Sequence, residues 1–182
     1  MRNLISACIL ILATALAASA QKTKPKPKTD PKPKAAAGCP GANSLTADEI
    51  LVILDEHNRI RTAVGLPKLS WSCTLADTAQ VWASKGVAQH RADFDFGESM
   101  FVSTNALIGV GSAMTNWEKE KAFWNNAAGS CQPGKTCTHY TQMVWRATTQ
   151  IGCGINRTAA GQWKTFMVCN YNPGGNTGGK AY

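Results

Sequence analysis

Apolar residues recur at helical spacing soon after a polar segment near residue 46. Thr46-Ala47-Asp48-Glu49 has the form of a capping box, whose Thr and Glu side chains satisfy the first free amides of a helix. From Ile50 to Val64 an apolar side chain returns every three or four positions, until Gly65 and Pro67 interrupt the run. This pattern predicts a first helix. His57 lies within its apolar stripe, which favours a hydrogen-bonded structural histidine.

Further helices are predicted in the middle of the chain. A second should begin with Thr74 as its N-cap, and a third should extend through Ala113 and Glu120 as far as Trp124. Residues 139–145 predict a short fourth helix.

Strands are predicted mainly in the last third of the chain. Residues 99–102 form a short candidate, whereas 150–156 and 163–171 are rich in β-branched and aromatic residues and flank Ala160-Gly161. These two segments predict an antiparallel hairpin. Because the helices precede the strands without regular βαβ alternation, the expected class is α+β.

The first twenty residues have the three parts of a secretory signal peptide. A positive start at Arg2 precedes an apolar run over 4–18, and Ala18-Ser19-Ala20 is a small-residue cleavage site before Gln21. The run is shorter than the roughly 20 residues that a membrane-spanning helix needs, so no transmembrane segment is expected. The predicted location is extracellular or, in a bacterium, periplasmic or associated with the cell wall.

Residues 21–38 are predicted to be a disordered linker, because lysine and proline alternate there. The chain has a net charge of +8, but residues 1–38 carry seven Lys/Arg and one Asp. Residues 39–182 carry twelve Lys/Arg and ten Asp/Glu, so the domain itself is nearly neutral. A basic nucleic-acid surface on the domain is therefore not expected. The linker is either a solvated spacer or an electrostatic tether to an anionic surface.

Cysteine usage agrees with secretion. Cleavage after Ala20 removes Cys8 and leaves six cysteines, an even number that predicts three disulfides out of fifteen formal pairings. The pairing we expect is Cys131–Cys137, Cys153–Cys169 and Cys39–Cys73. Their role is structural.

Two long motifs resemble the signatures of the CAP superfamily, which comprises cysteine-rich secretory proteins, antigen 5 and pathogenesis-related 1 proteins. They occupy residues 138–146 (THYTQMVWR) and 166–176 (FMVCNYNPGGN). Shorter matches support them: His57-Asn58-x-x-Arg61, Leu69-Ser70-Trp71, Gly97-Glu98 and Trp117-x-x-Glu120. The resemblance covers residues 45–182 and implies a three-layer α-β-α sandwich within a domain spanning 39–182. Thr138 and Ser99 depart mildly from the family pattern.

The resemblance also implies a cleft formed by His90, Glu98, Glu120 and His139. Such a set has two uses. The imidazoles of His90 and His139 can bind a divalent metal such as Zn²⁺, with the glutamates as extra ligands or as hydrogen-bond acceptors behind them. Alternatively, each His–Glu pair is a hydrogen-bonded unit that supports the cleft. No cofactor is required, and no catalytic residue is assigned.

The leading functional prediction is a secreted, non-enzymatic binding module for a lipid or sterol, a glycan or a protein. The alternative is a metal-dependent extracellular hydrolase or peptidase that uses the same four residues. The sequence contains no HExxH and no G-x-S-x-G motif. Asn156-Arg157-Thr158 is an N-glycosylation sequon.

Overall fold

The computed structural model describes residues 39, 44–92, 95–158 and 161–182. The helices in these ranges are α1 (Ala47–Ala63), α2 (Cys73–Lys85), α3 (Gly111–Lys119) and α4 (Thr138–Met143), and a 3₁₀ turn spans Glu120–Phe123. The strands are β1 (Ser70–Trp71), β2 (Gly97–Ser103), β3 (Trp124–Asn125), β4 (Ser130–Cys131), β5 (Gln150–Asn156) and β6 (Thr165–Asn172).

The starts of the first two helices show how capping residues set the boundaries. Thr46 and Glu49 form the predicted capping box, with the Glu49 amide donating to Thr46 Oγ1 at 3.2 Å. The predicted cap of the second helix was wrong. Ser72 is its N-cap and accepts from the Leu75 amide at 3.4 Å, while Thr74 lies inside the helix. Serine and threonine are both common N-cap residues. Because β1 ends at Trp71, the helix can begin directly after it, with Ser72 as its N-cap.

The predicted third helix is shorter than expected. It ends at Lys119, Glu120 lies in the 3₁₀ turn, and Trp124 pairs with Cys131 in a two-stranded sheet. Side chains three residues apart lie on the same face of an α-helix and of a 3₁₀ helix. The spacing of the apolar residues therefore could not show where the α-helix ends and the 3₁₀ turn begins.

The main sheet has the order β1-β5-β6-β2. β5 and β6 form the predicted antiparallel hairpin, although β6 begins at Thr165, two residues later than expected. The predicted strand around 99–102 is the longer β2, antiparallel to β6. The two-residue β1 runs parallel to β5.

Helices cover both faces of this sheet, as the predicted three-layer sandwich requires. Met167, Cys169 and Tyr171 of β6 join the main core with residues of α1, α3 and α4. Val168, which points to the opposite face, packs with Ala79 and Ala83 of α2. The hydrophobic core is therefore divided by the sheet into a large and a small part.

Three disulfides join the cysteines in the predicted pairs. Cys153–Cys169 links β5 to β6 and is fully buried, whereas Cys131–Cys137 closes a short loop immediately before α4. The third, Cys39–Cys73, connects residue 39 to the first residue of α2.

The predicted signal peptide (1–20) and all of the predicted linker (21–38) lie outside the described residues. Within the described ranges, none of the helices has both the length and the apolar character needed to cross a membrane.

Candidate functional site

An open cleft of about 490 Å³ lies where the segment between α2 and β2 meets the start of α4. Three of the four residues implied by the family resemblance line it: His90, Glu98 and His139. The rest of its wall includes Arg91, Phe96, Thr138, Gln142 and Asn176. The structure thus brings side chains from three distant segments to one solvent-reachable surface.

The first His–Glu pair is built on β2. Glu98 is 6% exposed, and its Oε1 lies 2.9 Å from His90 Nδ1, while the His90 side chain is 62% exposed. Arg91 also binds this carboxylate, through its backbone amide at 3.3 Å and its Nε at 2.9 Å. Glu98 is therefore a buried, fully engaged acceptor that fixes His90 at the edge of the cleft.

The second pair connects the 3₁₀ turn to α4. Glu120 Oε1 lies 2.6 Å from His139 Nδ1, and Glu120 Oε2 accepts the backbone amides of His139 and Tyr140, each at 3.0 Å. The His139 ring stacks parallel to that of Trp117, with 5.6 Å between ring centroids. Glu120 thus occupies the free amides at the start of α4 and also holds the imidazole.

Several residues that the sequence analysis did not identify hold this site together. Arg91 donates to Asn170 Oδ1 at 2.8 Å as well as to Glu98, and Trp82 Nε1 donates to the Gln89 carbonyl at 2.9 Å. The segment that carries His90 is therefore attached to both β6 and α2. The sequence signal for Arg91 was its position beside His90. Nothing in the sequence pointed to Trp82.

Close approach of backbone segments shapes another part of the cleft wall. Gln142 accepts the Gly175 amide at 2.9 Å, and a Cβ at Gly97 would lie 2.1 Å from Gln142 Oε1. A side chain at Gly97 would therefore displace Gln142, which is 1% exposed. Glycine at this position lets β2 and the 174–176 segment meet.

Each glutamate lies on the Nδ1 side of its histidine, where it accepts a hydrogen bond from the imidazole. Each carboxylate holds an imidazole at Nδ1, and within the described residues no bond occupies Nε2 of either ring. No group of three or more His, Cys, Asp or Glu residues in the described ranges is arranged to hold a metal ion. A carboxylate on Nδ1 is the usual support of a histidine whose Nε2 binds a metal.

The remaining candidates lie away from the cleft. His57 is hydrogen-bonded and structural, as predicted, and it is fully buried: its Nδ1–H donates to the Ile53 carbonyl at 2.8 Å, and its Nε2 accepts from Tyr171 Oη at 2.9 Å. Ser99 is 1% exposed in β2. Asn156 Nδ2 donates to the carbonyls of Ala83 and Ser84, at 3.3 and 3.4 Å, near the end of α2.

Comparison with known sequences places this geometry in a family context. The sequence model of the cysteine-rich secretory protein family matches residues 54–171. A pathogenesis-related protein of the PR-1 type from Sambucus nigra is 34% identical over 131 residues, which are 70% of this chain and 77% of that protein. Peptidase inhibitor 16 from Mus musculus is 35% identical over 148 residues. The match covers 75% of this chain but only 30% of peptidase inhibitor 16.

Solved structures give the same fold. The crystal structure of NaASP2 with Zn²⁺ has a TM-score of 0.69 at 25% identity, covering 80% of this chain and 90% of NaASP2. The venom allergen-like protein 4 of Schistosoma mansoni has a TM-score of 0.60 at 27% identity, covering 71% of this chain and 90% of that protein.

Proposed function

The chain belongs to the cysteine-rich secretory protein family, and from that premise we propose that it is a secreted, non-enzymatic binding module. Its cleft at His90 and His139 receives an extracellular ligand. The observation that carries this proposal is the pairing of two imidazoles, each oriented by a carboxylate of low exposure, along one open cleft. Such preorganisation lowers the entropic cost of binding a ligand at the ring nitrogens.

A divalent cation is the ligand that this donor set suits best. Nε2 of His90 and Nε2 of His139 would hold it, and Glu98 and Glu120 would keep both rings in the tautomer that leaves Nε2 unprotonated. A bound cation would supply a positive centre for an anionic or hydroxyl-bearing group of the ligand. The related NaASP2 was crystallised with Zn²⁺, which supports the choice of zinc as the probe.

The same contacts favour binding over hydrolysis. A metal-dependent hydrolase built on these four residues would use both imidazoles as metal ligands, so it would need a carboxylate to accept the proton of the attacking water. Both oxygens of Glu98 and both oxygens of Glu120 already accept hydrogen bonds from protein groups. The two carboxylates therefore act as supports for the imidazoles, and the binding module is the function that the geometry supports best.

Zinc binding by the purified protein tests the proposal. Isothermal titration with Zn²⁺ should give saturable binding to the wild-type domain and no binding to a His90→Ala/His139→Ala variant. His90 is largely exposed and His139 about one-quarter exposed, so these substitutions should leave the fold intact. Circular dichroism checks this.

Glu98→Gln and Glu120→Gln provide the matched control. Each keeps the size of the side chain but weakens the hold on the imidazole, so the Zn²⁺ affinity should fall by about 10- to 100-fold without being abolished. If the double histidine variant binds Zn²⁺ as the wild type does, the cation does not bind at this cleft.

A further inference from the structure

A second hollow of about 480 Å³ adjoins the cleft on the far side of α4's first residue. It lies between the Cys131–Cys137 loop and the glycine-rich segment 174–179. Trp124 and Trp145 contribute its aromatic surface. Thr138 and Asn176 line both this hollow and the cleft, so the two cavities are direct neighbours.

The boundary between the cavities is a fixed pair of residues. Asn176 Nδ2 donates to the Thr138 carbonyl at 2.9 Å, and Asn176 Oδ1 accepts from Thr141 Oγ1 at 2.6 Å. The backbone of Asn176 has φ +61°, a left-handed conformation that few non-glycine residues other than asparagine adopt. The Thr138 side chain is exposed at this boundary. A ligand that crosses this boundary therefore contacts a preformed polar surface, formed by Thr138 and Asn176 and called the saddle below.

The chemistry of the lining is unusual for a lipid site. Among the described residues that line either cavity, none is Leu, Ile, Val or Met. The walls consist instead of aromatic rings, hydroxyl and amide groups, glycine backbone, the Cys131–Cys137 disulfide, the two imidazoles and the charged side chains of Arg91, Glu98 and Lys135. An acyl chain or a sterol requires a continuous apolar surface, because its binding depends on the apolar area removed from water. In these two cavities polar and charged side chains lie among the aromatic rings.

The Trp124 ring is also held in place. Its Nε1 donates to Asn126 Oδ1 at 3.2 Å, and the same oxygen accepts the amides of Ala181 and Tyr182 at 3.1 and 3.2 Å. A fixed, partly exposed indole offers an apolar face beside polar groups, which matches the alternation of C–H faces and hydroxyl groups on a sugar ring.

We infer that the two cavities form one groove for a linear oligosaccharide. Sugar rings would pack on Trp124 in the second hollow, and hydroxyl groups would bind at the Thr138–Asn176 saddle and at the imidazoles. This inference rests on the proposed function for its first half, the cleft at His90 and His139. It names the ligand class of that cleft and extends the site beyond it.

Titration with a length series tests the groove. The probes are linear β-1,4-glucose, β-1,4-N-acetylglucosamine and β-1,3-glucose oligomers, from disaccharide to hexasaccharide. For at least one backbone the affinity should rise by about tenfold or more with length and then level off, because only a longer chain contacts both cavities.

Two substitutions, each with a matched control, locate the binding. Trp124→Leu should reduce the affinity for the longest oligomer to about that of a disaccharide, whereas Trp163→Leu, in the segment between β5 and β6, should not change it. Thr138→Leu should block the saddle and remove the length dependence, whereas Thr104→Leu, in the loop after β2, should not. Thermal denaturation of each variant confirms that it folds.

The outcomes separate this inference from the proposed function. If Zn²⁺ binds through His90 and His139 but no oligomer binds, the groove inference is wrong and the binding module remains. If neither Zn²⁺ nor any oligomer binds, both are wrong. Palmitate binding that is lost in Trp124→Leu would also overturn the choice of a sugar ligand.

Discussion

Three histidines in this chain show how surroundings assign different roles to one residue type. The side chains of His90 and His139 are partly exposed and are held at Nδ1 by carboxylates. His57 is enclosed by the core, and burial lowers its pKa from 6.5 to about 4, with a smaller contribution from the charge of Arg61. Burial also holds the pKa of Tyr171 above its usual range, so its hydroxyl remains a donor to His57. His57 is therefore a neutral structural group.

This burial of His57 predicts a loss of stability in mild acid. Between pH 6.5 and about 4 the unfolded chain binds a proton at this residue and the native state does not. The free energy of unfolding should therefore be fully present above pH 6.5 and fall by about 3 kcal/mol as the pH drops to 4. Urea denaturation at a series of pH values measures it.

His57→Gln is the control for this titration. The variant retains hydrogen-bonding capacity but has no group that titrates at this position, so its free energy of unfolding should depend less steeply on pH between 6.5 and 4. Its absolute stability does not enter the comparison, because only the slopes are compared. Identical slopes in the two proteins would show that His57 does not contribute.

At the scale of elements, α2 lies directly on the backbone of β5. A Cβ at Gly154 would lie 2.4 Å from both N and Cα of Gln80, and one at Gly152 would lie 2.3 Å from the Ala76 amide nitrogen. Gln80 exploits this approach: its side chain donates to the Ile155 carbonyl at 3.0 Å and accepts the Ile155 amide at 2.9 Å. The helix thus continues the hydrogen bonding of the sheet.

Gly154→Ala should therefore move α2 away from the sheet. The added methyl group meets helix backbone, which cannot turn aside as a flexible side chain would, so we expect a loss of about 2 kcal/mol in the free energy of unfolding. Calorimetric unfolding measures this loss. Gly109→Ala, where a Cβ has nothing within 4 Å, should change the stability little. Equal effects would mean that the close packing of α2 on β5 is unimportant.

Element types were largely predictable from the sequence because they depend on local patterns. The capping box at Thr46 and the β-branched and aromatic residues of β5 and β6 are recognised within a few residues. The N-cap of α2 and the C-terminal end of α3 were not predictable in this way. Strand β1 and the pairing of β3 with β4, which lie outside these helices, set the two boundaries. The meeting of His90 with Glu98 and of Glu120 with His139 also depends on tertiary packing, and only the family resemblance suggested it.

At the scale of the whole molecule, the charge is unevenly distributed along the chain. Residues 1–38 hold seven Lys/Arg and one Asp, whereas the rest of the sequence has twelve Lys/Arg and ten Asp/Glu. Part of the domain's charge is internally paired, as in Arg59 with Glu56 and Glu118 and in Arg157 with Glu49. We therefore expect any long-range attraction to an anionic surface to come mainly from the Lys/Pro segment.

We propose that this segment, residues 21–38, tethers the secreted domain after cleavage at Ala20. A protein that begins at Gln21 should be retained on heparin or on vesicles rich in phosphatidylserine, and one that begins at Ala35 should elute at much lower salt. Retention of the longer protein should decline steeply with added salt, because exposed charges are screened beyond about 10 Å at 0.1 M. Zn²⁺ affinity at the cleft should be the same in both proteins, because His90 and His139 are held by contacts within the domain. Replacing the lysines between 22 and 34 with glutamine, while keeping every proline, separates charge from chain extension. If that variant is retained as strongly as the wild type, the segment is a spacer and the attraction comes from elsewhere.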